Sequence, residues 1–322
     1  MILYLAPLQG FTDHPFRNSF TKFFSGFDIS IAPFISALPE GRFKKKEMRD
    51  VLPENNYGLP VIPQIMGNNA DDFVPVANKL FDYGYTSVNW NLGCPYKMVA
   101  KKKRGSGLLC YPDDIKRFLD KALPLMKTTL SVKMRLGRHT EEEICTLIPL
   151  LNQYPIDEIT IHPRTGVQMY NGTVNLDYFQ KVLEMSKHTI VYNGDITDLR
   201  SFKKLQNKFN TVSKWMIGRG VLSDPFLPMT IKNECGSLRS EVVNNKTEII
   251  RKFHNDYYEK RLEYLSGPAH ITDRMKSFWF HLAVSFDTGD KFFKKVKKAK
   301  TPEQYKIIVE QFFDSDPEWL CS

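Results

Sequence analysis

The sequence predicts a parallel (β/α)8 barrel over residues 1–240, followed by a small all-α helical bundle over residues 241–322. Eight short apolar runs alternate with helix-like segments, and eight such units are the number that closes this type of barrel. Several runs are apolar almost throughout, as in strands that a parallel sheet buries on both faces. After Gly220 the strand-like runs stop, and only helical periodicity follows.

The predicted strands are short runs rich in β-branched residues. They are residues 2–6, 28–34, 61–66, 86–92, 130–134, 158–162, 189–193 and 214–218. An open, doubly wound sheet is the alternative architecture. Such a sheet rarely needs eight strand–helix units, and no Gly-x-Gly-x-x-Gly follows the first run, so the barrel is favoured.

The predicted barrel helices carry apolar residues at helical spacing. They are residues 70–83, 113–123, 141–151 and 177–185. The C-terminal part repeats this pattern in residues 246–265 and 270–286. A last helix opens with Thr301 as N-cap, Pro302 at its first position and Gln304 at its third. About three amphipathic helices therefore form the predicted bundle.

Polar or glycine-rich residues follow seven of the eight predicted strands, and a barrel of this type brings all strand C-termini to one face. At successive strand ends lie Gln9 and Gly10, Gln64, Asn91 and Cys94, Lys133 and Arg135, His162 and Arg164, Asn193 to Asp195, and Gly218 to Gly220. One such residue is usually a satisfied core group. Seven at equivalent positions indicate an active site.

The composition limits partners and compartment. The net charge is +9, which favours nucleic acid, an anionic membrane or acidic partners. Five dispersed cysteines are typical of a reducing cytoplasm and argue against a disulfide framework or a zinc site. No apolar run has membrane-spanning length, and residues 1–6 lack the basic leader of a signal peptide. We therefore expect a cytoplasmic protein with no metal and no membrane partner.

The sequence Asn91-Leu92-Gly93-Cys94-Pro95 places one cysteine just past a buried strand. The basic run Lys101-Lys102-Lys103-Arg104 and a Gly-Ser-Gly turn follow closely. A thiol at a strand end is placed for chemistry, and the basic run favours a polyanionic substrate. The alternative is a small core cysteine followed by a solvated charge run.

The last two strand ends suggest a phosphate-bearing cofactor. The loops after these strands commonly bind phosphate through backbone N–H groups. Gly194, Gly218 and Gly220 would let the backbone approach an anion, and Arg219 would add charge. On neighbouring strands, Lys133 and His162 could face the pyrimidine edge of a flavin, where a cation stabilises the anionic reduced ring. The alternatives are a simple turn and a core histidine.

Several motifs together resemble those of the tRNA-dihydrouridine synthase family. In chain order they are residues 6–17 (APLQGFTDHPFR), Gln64 in PQIMG, NLGCP ending at Pro95, GSGLL ending at Leu109, SVKMRLG ending at Gly137, HPRT ending at Thr165, NGDI ending at Ile196 and MIGRG ending at Gly220. They span residues 6–220 in the family's order. The resemblance implies an FMN-containing barrel followed by a small helical domain that grips tRNA.

Residue roles follow from this resemblance. Cys94 matches the family's catalytic cysteine. The positions that match residues around FMN are Pro7, Leu8, Gln9, Gln64, Lys133, His162, Asn193, Gly194, Asp195, Gly218 and Arg219. Asn91 and Arg164 match positions near the target base. Two departures are visible, because Gln9 replaces a more frequent Glu or Ala, and Pro163 replaces the usual Gly and removes an N–H.

The implied reaction is reduction of a D-loop uridine in tRNA to 5,6-dihydrouridine. Hydride from N5 of FMN adds to C6 of uracil, and a proton must reach C5. A thiol with a pKa near roughly 8.5 is mostly protonated in the cytoplasm, so we expect Cys94 to donate that proton and not to be a low-pKa thiolate. The uridine must leave its stack. By resemblance, NADPH re-reduces the flavin through the same mouth.

Basic charge is segregated within the C-terminal part. Residues 274–300 hold eight Lys or Arg against two Asp or Glu, whereas residues 241–322 as a whole have a net charge of only +1. We predict that Arg274, Lys276 and the 101–104 run contact the phosphate backbone of tRNA. A solvated helix face is the alternative.

Two other functions stay open. An FMN barrel could act on a small molecule, as dihydroorotate or enoate reductases do, although such an enzyme needs neither the basic run nor the helical domain. A tRNA-binding protein without catalysis is the other, but the presence of Cys94, Lys133 and Arg219 argues against it. We expect a monomer, and the sequence does not identify which uridine is reduced.

Overall fold

The computed structural model describes residues 1–235, 245–264 and 267–321 of the 322-residue chain. Ten strands lie within these ranges: β1 (Ile2–Leu5), β2 (Ile29–Ile31), β3 (Ile35–Ser36), β4 (Val61–Ile62), β5 (Gln64–Met66), β6 (Ser87–Leu92), β7 (Thr129–Gly137), β8 (Ile156–Thr165), β9 (Thr189–Asn193) and β10 (Lys214–Ile217).

Fourteen α-helices lie in the same described ranges: α1 (His14–Phe23), α2 (Lys45–Arg49), α3 (Ala70–Asp82), α4 (Lys97–Ala100), α5 (Pro112–Ala122), α6 (Ile144–Leu151), α7 (Leu176–Met185), α8 (Leu199–Lys208), α9 (Arg219–Ser223), α10 (Leu227–Glu234), α11 (Lys246–Tyr264), α12 (Pro268–Leu282), α13 (Gly289–Lys298) and α14 (Pro302–Asp314). Short 3-10 turns occur at Pro39–Gly41, Pro53–Asn55, Gly105–Leu108, Leu123–Leu125, Glu141–Glu143 and Ala283–Ser285.

The ten strands form one parallel sheet that closes on itself. Its order is β3-β5-β6-β7-β8-β9-β10-β1-β2-β4. β2 and β3 are two segments of the second barrel strand, and β4 and β5 are two segments of the third. The strands at the two ends of this order therefore belong to neighbouring barrel strands, and the sheet closes. β2 pairs with β4, and β3 pairs with β5. The ten strands therefore fill eight barrel positions, and the predicted (β/α)8 barrel is confirmed.

Proline explains where the strands differ from the prediction. Pro33 and Pro63 lack the N–H that a ladder needs, so the second and third barrel strands each break in two. The short strand β3 was missed. Conversely, β7 and β8 continue beyond the predicted ends, with a register shift between Arg135 and Gly137 opposite Pro163. Arg135 and Arg164 therefore lie within strands and not beyond them.

Parallel register brings the polar strand ends together at one end of the barrel. Asn91 pairs with Lys133 across β6 and β7, and Arg135 pairs with His162 across β7 and β8. Asn193 pairs with Met216 across β9 and β10. Below this layer a small apolar cluster includes Tyr4 and Ile31, while a larger core packs between strands and helices.

The C-terminal helices pack against the barrel through aromatic side chains. Phe253 of α11 meets Phe16 of α1 edge to face, with ring centroids 5.9 Å apart. The predicted cap of the last helix is confirmed, since the Thr301 side chain accepts a hydrogen bond from the Gln304 backbone N–H. Helix α13 was missed, because its five lysines give the sequence the appearance of a charge run.

Some predictions fall outside the described residues. The division at residue 240 lies within residues 236–244, and Leu265, the predicted end of a helix, lies just past Tyr264. The helix predicted over 270–286 starts at Pro268 and ends at Leu282, and the chain continues as a 3-10 turn. No helix of the described ranges combines the length and apolar character that crossing a membrane requires.

Candidate active site

A cleft of about 330 Å³ opens at the C-terminal end of the barrel strands. Most of its walls come from the strand ends, and its lining residues include Pro7, Leu8, Gln9, Asn91, Cys94, Lys133, His162 and Arg219. A second space of about 80 Å³ adjoins it and is lined by Asn193, Gly194, Asp195, Gly218 and Arg219 among others. The two spaces share Pro7, Leu8, Lys133, His162, Tyr170 and Arg219, so they form one continuous site.

Cys94 lies on the wall of the large cleft and is only 9% exposed. The side-chain oxygen of Asn91 accepts hydrogen bonds from the backbone N–H groups of Cys94, at 2.9 Å, and Gly93, at 3.1 Å. These two hydrogen bonds satisfy the backbone N–H groups of the turn that follows β6. They also fix the position from which the thiol projects.

The Gly-Ser-Gly turn packs directly on Cys94. The Ser106 backbone N–H and hydroxyl both donate to the Cys94 carbonyl oxygen at 3.0 Å. Gly105 has φ +56°, and a Cβ there would lie 2.8 Å from Cβ of Cys94. The positive φ and this close approach both require glycine.

Two arginines also hold the cysteine loop; Arg135 was predicted only as a strand-end residue, and Arg138 was not predicted at all. Arg135 donates through Nε to the Gly93 carbonyl at 3.1 Å, and Arg138 donates to the Pro95 carbonyl at 3.0 Å. Both lie in or just after β7. The sequence placed Arg135 near the site through its motif but gave no signal for its contact with residue 93.

Burial raises the pKa of the Cys94 thiol, and Arg135, Arg138 and Lys133 offset only part of that effect. The thiol is therefore the favoured form at neutral pH. This direction agrees with the prediction that Cys94 is not a low-pKa thiolate.

Gln64 lies below the cleft and is fully buried. Its amide nitrogen donates to Asn89 Oδ1, and its oxygen accepts from Asn91 Nδ2, both at 2.7 Å. Gln64 therefore orients the amide that holds Cys94. Its predicted contact with the cofactor stays a prediction, because it lines neither space described above.

Lys133 lines both spaces and is half-buried. Burial, together with the nearby Arg135, lowers its pKa to about 7. An anion that binds beside Lys133 would raise this pKa again and so favour the charged form of the amine.

His162, Arg164, Asp195 and Arg219 form a connected network beside the small space. Arg164 pairs with both carboxylate oxygens of Asp195, at 2.9 and 2.6 Å, and Arg219 reaches Asp195 at 3.5 Å. Burial, followed by the surrounding cations, holds the pKa of His162 well below its usual value. Arg164 lines neither space, so its predicted contact with a base stays a prediction.

Aromatic residues that the prediction did not include complete the cleft. Tyr170, in the loop after β8, lies 4.6 Å from the Arg219 guanidinium and 5.5 Å from that of Arg135. Phe280 and His281 reach the cleft from α12. His281 meets Phe11 of the barrel edge to face at 5.3 Å. The cleft is thus built partly from the C-terminal helices.

The predicted basic residues lie outside the cleft. Lys101, Lys102 and Lys103 are exposed after α4, and Lys103 lies 3.9 Å above the Tyr111 ring. Arg104 donates to Asn68 Oδ1 at 3.2 Å.

Arg274 donates to the Gly10 carbonyl and lines a neighbouring cavity of about 400 Å³. Lys276 lies 3.6 Å from Asp273. Their predicted contacts with phosphate stay predictions. Within the described residues, no group of three or more His, Cys, Asp or Glu side chains is arranged to hold a metal ion.

Comparison with known proteins finds one family over almost the whole chain. The sequence pattern described as dihydrouridine synthase (Dus) matches residues 4–320. The tRNA-dihydrouridine synthase B of Pasteurella multocida is 31% identical over 226 residues, which cover 70% of this chain and 67% of the relative. The protein of the same name from Escherichia coli strain K12 is 27% identical over 278 residues, covering 84% and 85%.

Solved structures share the fold. An old yellow enzyme homologue from Zymomonas mobilis superposes with a TM-score of 0.53 at 12% identity, over 78% of this chain and 91% of that structure. Histamine dehydrogenase from Rhizobium sp. 4-9 gives a TM-score of 0.53 at 10% identity, over 73% and 46%. At these identities the likeness shows the fold alone.

Proposed function

Since this chain belongs to the dihydrouridine synthase family, we propose that it reduces a D-loop uridine of tRNA to 5,6-dihydrouridine, with FMN as cofactor and NADPH as reductant. One observation carries the proposal. A buried thiol, held by Asn91, lies on the wall of a cleft that Lys133, His162 and Arg219 also line. An acid, two basic side chains and an imidazole therefore converge on one open space.

The shape and donor set of the site suit FMN. The larger space has apolar walls from Pro7 and Leu8 and polar groups from Lys133 and His162, as a planar ring with one polar edge requires. The smaller space offers Arg219 and glycine backbone, which suits a phosphate. The carboxylate of Asp195 is already paired with Arg164, which limits its repulsion of an anion.

Bound FMN would supply the hydride that adds to C6 of the uracil. Cys94 then has one task, which is to deliver a proton to C5. Its raised pKa suits this task, because the thiol keeps its proton at neutral pH. Such general acids typically contribute about 10²–10⁴-fold to rate.

Lys133 and His162 would bind the polar edge of the ring. With a pKa of about 7, Lys133 takes up a proton readily when negative charge develops beside it. We assign Pro7, Leu8, Gln9, Asn193, Gly194 and Gly218 to cofactor contact by position. NADPH would enter through the same mouth, since the sequence has no separate dinucleotide motif.

The tRNA would lie across the barrel mouth and the C-terminal helices, residues 241–322. Helix α13 presents Lys291, Lys294 and Lys298 to solvent, which suits contact with phosphates. We include the 101–104 run, Arg274 and Lys276 in the same surface, and Asn91 beside the target base. A cytoplasmic monomer is the form we propose.

The experiment is single-turnover oxidation of reduced enzyme. The purified protein should show a flavin spectrum, bleach anaerobically with NADPH, and recover its colour when tRNA lacking dihydrouridine is added. Recovery with orotate or an enone, and not with tRNA, would establish the small-molecule alternative. A protein that purifies colourless and binds no added FMN would overturn the proposal.

A cysteine pair provides the control. C94A should keep the flavin spectrum and slow tRNA-dependent recovery at least about 100-fold. C145A removes an exposed cysteine from α6 and should recover at the wild-type rate. An unchanged rate in C94A would remove Cys94 from its proposed role.

A further inference from the structure

Arg164 and His162 make a contact that determines where the histidine carries its proton. Nη1 of Arg164 lies 3.2 Å from Nε2 of His162, and both side chains are buried. A guanidinium only donates hydrogen bonds, so Nε2 must accept and has no proton of its own. A neutral histidine then carries its single proton on Nδ1.

The guanidinium has no donor left for another partner. Nε donates to the Asn171 carbonyl at 3.3 Å, and Nη2 donates to the Gly172 carbonyl at 2.7 Å and to Asp195 at 2.6 Å. Nη1 donates to Asp195 at 2.9 Å and to His162. These acceptors account for all five N–H groups of an arginine. Contact between Arg164 and a base would require breaking one of these bonds.

The ring of His162 borders the cleft, and only its Nε2 is engaged by Arg164. His162 lines both the large and the small space. Among the described residues, none forms a hydrogen bond with its Nδ1. The surrounding cations and burial hold the pKa of His162 well below its usual value, which keeps the ring neutral at physiological pH. Nδ1–H is thus the donor that His162 can offer a ligand.

We propose that Arg164 is a positioning residue that fixes His162 in its Nδ1–H tautomer and thereby presents one N–H donor to the ligand in the cleft. The identification of that ligand as a flavin rests on the proposed function, but the tautomer does not. Arg164 also donates to the backbone carbonyls of Asn171 and Gly172, in the loop that brings Tyr170 to the cleft. The family resemblance had implied a contact with the target base instead.

The test measures the tautomer directly in flavin-free protein. Long-range ¹H–¹⁵N correlation spectra report which imidazole nitrogen is protonated, and the missing signal in H162Q assigns residue 162. Wild-type protein should show a protonated Nδ1 and an unprotonated Nε2, unchanged from pH 6 to pH 8. A proton on Nε2 in the wild type would overturn the proposal without any variant.

Three variants separate positioning from folding. R164M should shift most of the His162 population to the Nε2–H tautomer and weaken FMN binding at least tenfold. R164K keeps a cationic donor and should restore the Nδ1–H tautomer in at least half of the population. R261M removes another buried arginine that pairs with a carboxylate, Asp13, and should leave the His162 signals unchanged. An unaltered tautomer in R164M would refute the assignment.

Failure of this proposal can be distinguished from failure of the proposed function. If wild-type His162 has the expected tautomer but the protein neither binds FMN nor reacts with tRNA, only the proposed function fails. If flavin chemistry on tRNA is normal while the tautomer is the opposite one, only the role of Arg164 fails.

Discussion

The side-chain oxygen of Asn91 accepts a hydrogen bond from the backbone N–H of Cys94 at 2.9 Å. The other end of the same amide donates to Gln64, which is fully buried under the cleft. The proposed acid is therefore held by a side chain that the barrel interior itself orients. The position of the sulfur depends on a chain of amides and not on the loop alone.

Replacing Asn91 should separate catalysis from stability. N91A removes the acceptor for Gly93 and Cys94 and leaves Gln64 without one partner, so we expect unfolding to become easier by about 1–3 kcal/mol. Turnover on tRNA should fall by about 100-fold, because the thiol loses its fixed position. Stopped-flow oxidation of the reduced enzyme and denaturant unfolding measure the two effects.

Asn78 offers a matched control. Its side chain also accepts from one backbone N–H, that of Lys127, and donates to one carbonyl, that of Leu125, but it lies on α3 away from the cleft. N78A should lose about 1 kcal/mol of stability, because its two hydrogen bonds are exposed, and should retain turnover. Equal turnover losses in both variants would show that Asn91 acts only through folding.

Lys133 should titrate near neutrality in flavin-free protein, because burial lowers its pKa to about 7. Between pH 7 and an ordinary lysine pKa, the unfolded chain then binds more protons than the folded one. The contribution of Lys133 to the free energy of unfolding therefore rises with pH across that window. NMR titration of ¹³C-labelled lysine side chains should show this transition in the wild type.

The signal is assigned by substitution. K133M should abolish the transition near pH 7 and flatten the pH dependence of stability above it. K121M, which removes an exposed lysine of α5, should leave both unchanged. If FMN binding fails to move the transition to higher pH, Lys133 does not face the flavin.

The Asp13–Arg261 ion pair should hold the C-terminal helices to the barrel. Arg261 donates to both Asp13 oxygens, at 2.7 and 2.6 Å, and Asp13 stands at the start of α1. Removing one partner leaves an uncompensated buried charge, so R261M and D13N should each cost about 3–5 kcal/mol. The double variant should cost clearly less than the sum of the two.

Equilibrium unfolding of the wild type, D13N, R261M and the double variant checks this coupling. The exposed pair Lys116–Asp120 serves as the reference, since K116M should change stability by less than about 1 kcal/mol. Additive effects of D13N and R261M would contradict the prediction.

Phe280 should contribute to tRNA binding. It lines the cleft on α12 and is 60% exposed, which leaves its ring free to stack on a nucleobase. Stacking of this kind is worth about 1–3 kcal/mol, so F280A should raise the KM for tRNA by about tenfold or more. The flavin spectrum and the rate of flavin reduction should not change.

Two further variants make this test specific. F280W keeps a flat ring and should retain a near-normal KM. I307A removes a similarly exposed apolar residue from α14, 54% exposed, and should behave as the wild type. A normal KM in F280A would show that the ring does not contact tRNA.

His254 should make the protein sensitive to acid. It is buried among C-terminal aromatic residues, with Nε2 2.6 Å from the Tyr305 hydroxyl, and burial lowers its pKa to about 4. The folded state binds fewer protons than the unfolded one between the two pKa values, so stability falls as pH drops from about 6.5 towards 4. The loss amounts to about 3 kcal/mol.

Thermal unfolding at a series of pH values checks this. H254Q removes the titrating ring and should weaken the dependence on pH in that window, although it lowers stability at pH 7. His139, in an exposed turn, supplies the control, since H139Q should keep the wild-type pH profile. An unaltered profile in H254Q would assign the acid sensitivity to other groups.

The sequence alone determined the barrel, because its information on burial is local. A run of β-branched residues predicts a strand that is buried on both faces, and apolar residues at helical spacing predict a helix with one buried face. Either pattern is visible within a few residues of the sequence. The position where each strand ends can also be predicted from neighbouring residues. For this reason the sequence placed Cys94, Lys133, His162 and Arg219 at one end of the barrel. The cap at Thr301 was predicted for the same reason.

Only the tertiary structure decided which partner each polar group takes. Arg164 stands at a strand end like the others, yet Asp195 and two loop carbonyls occupy its guanidinium. Phe280 enters the cleft from a helix nearly two hundred residues beyond Cys94. Such pairings depend on how distant elements pack and on which donors find acceptors once water is excluded, and no local pattern of residues encodes that outcome.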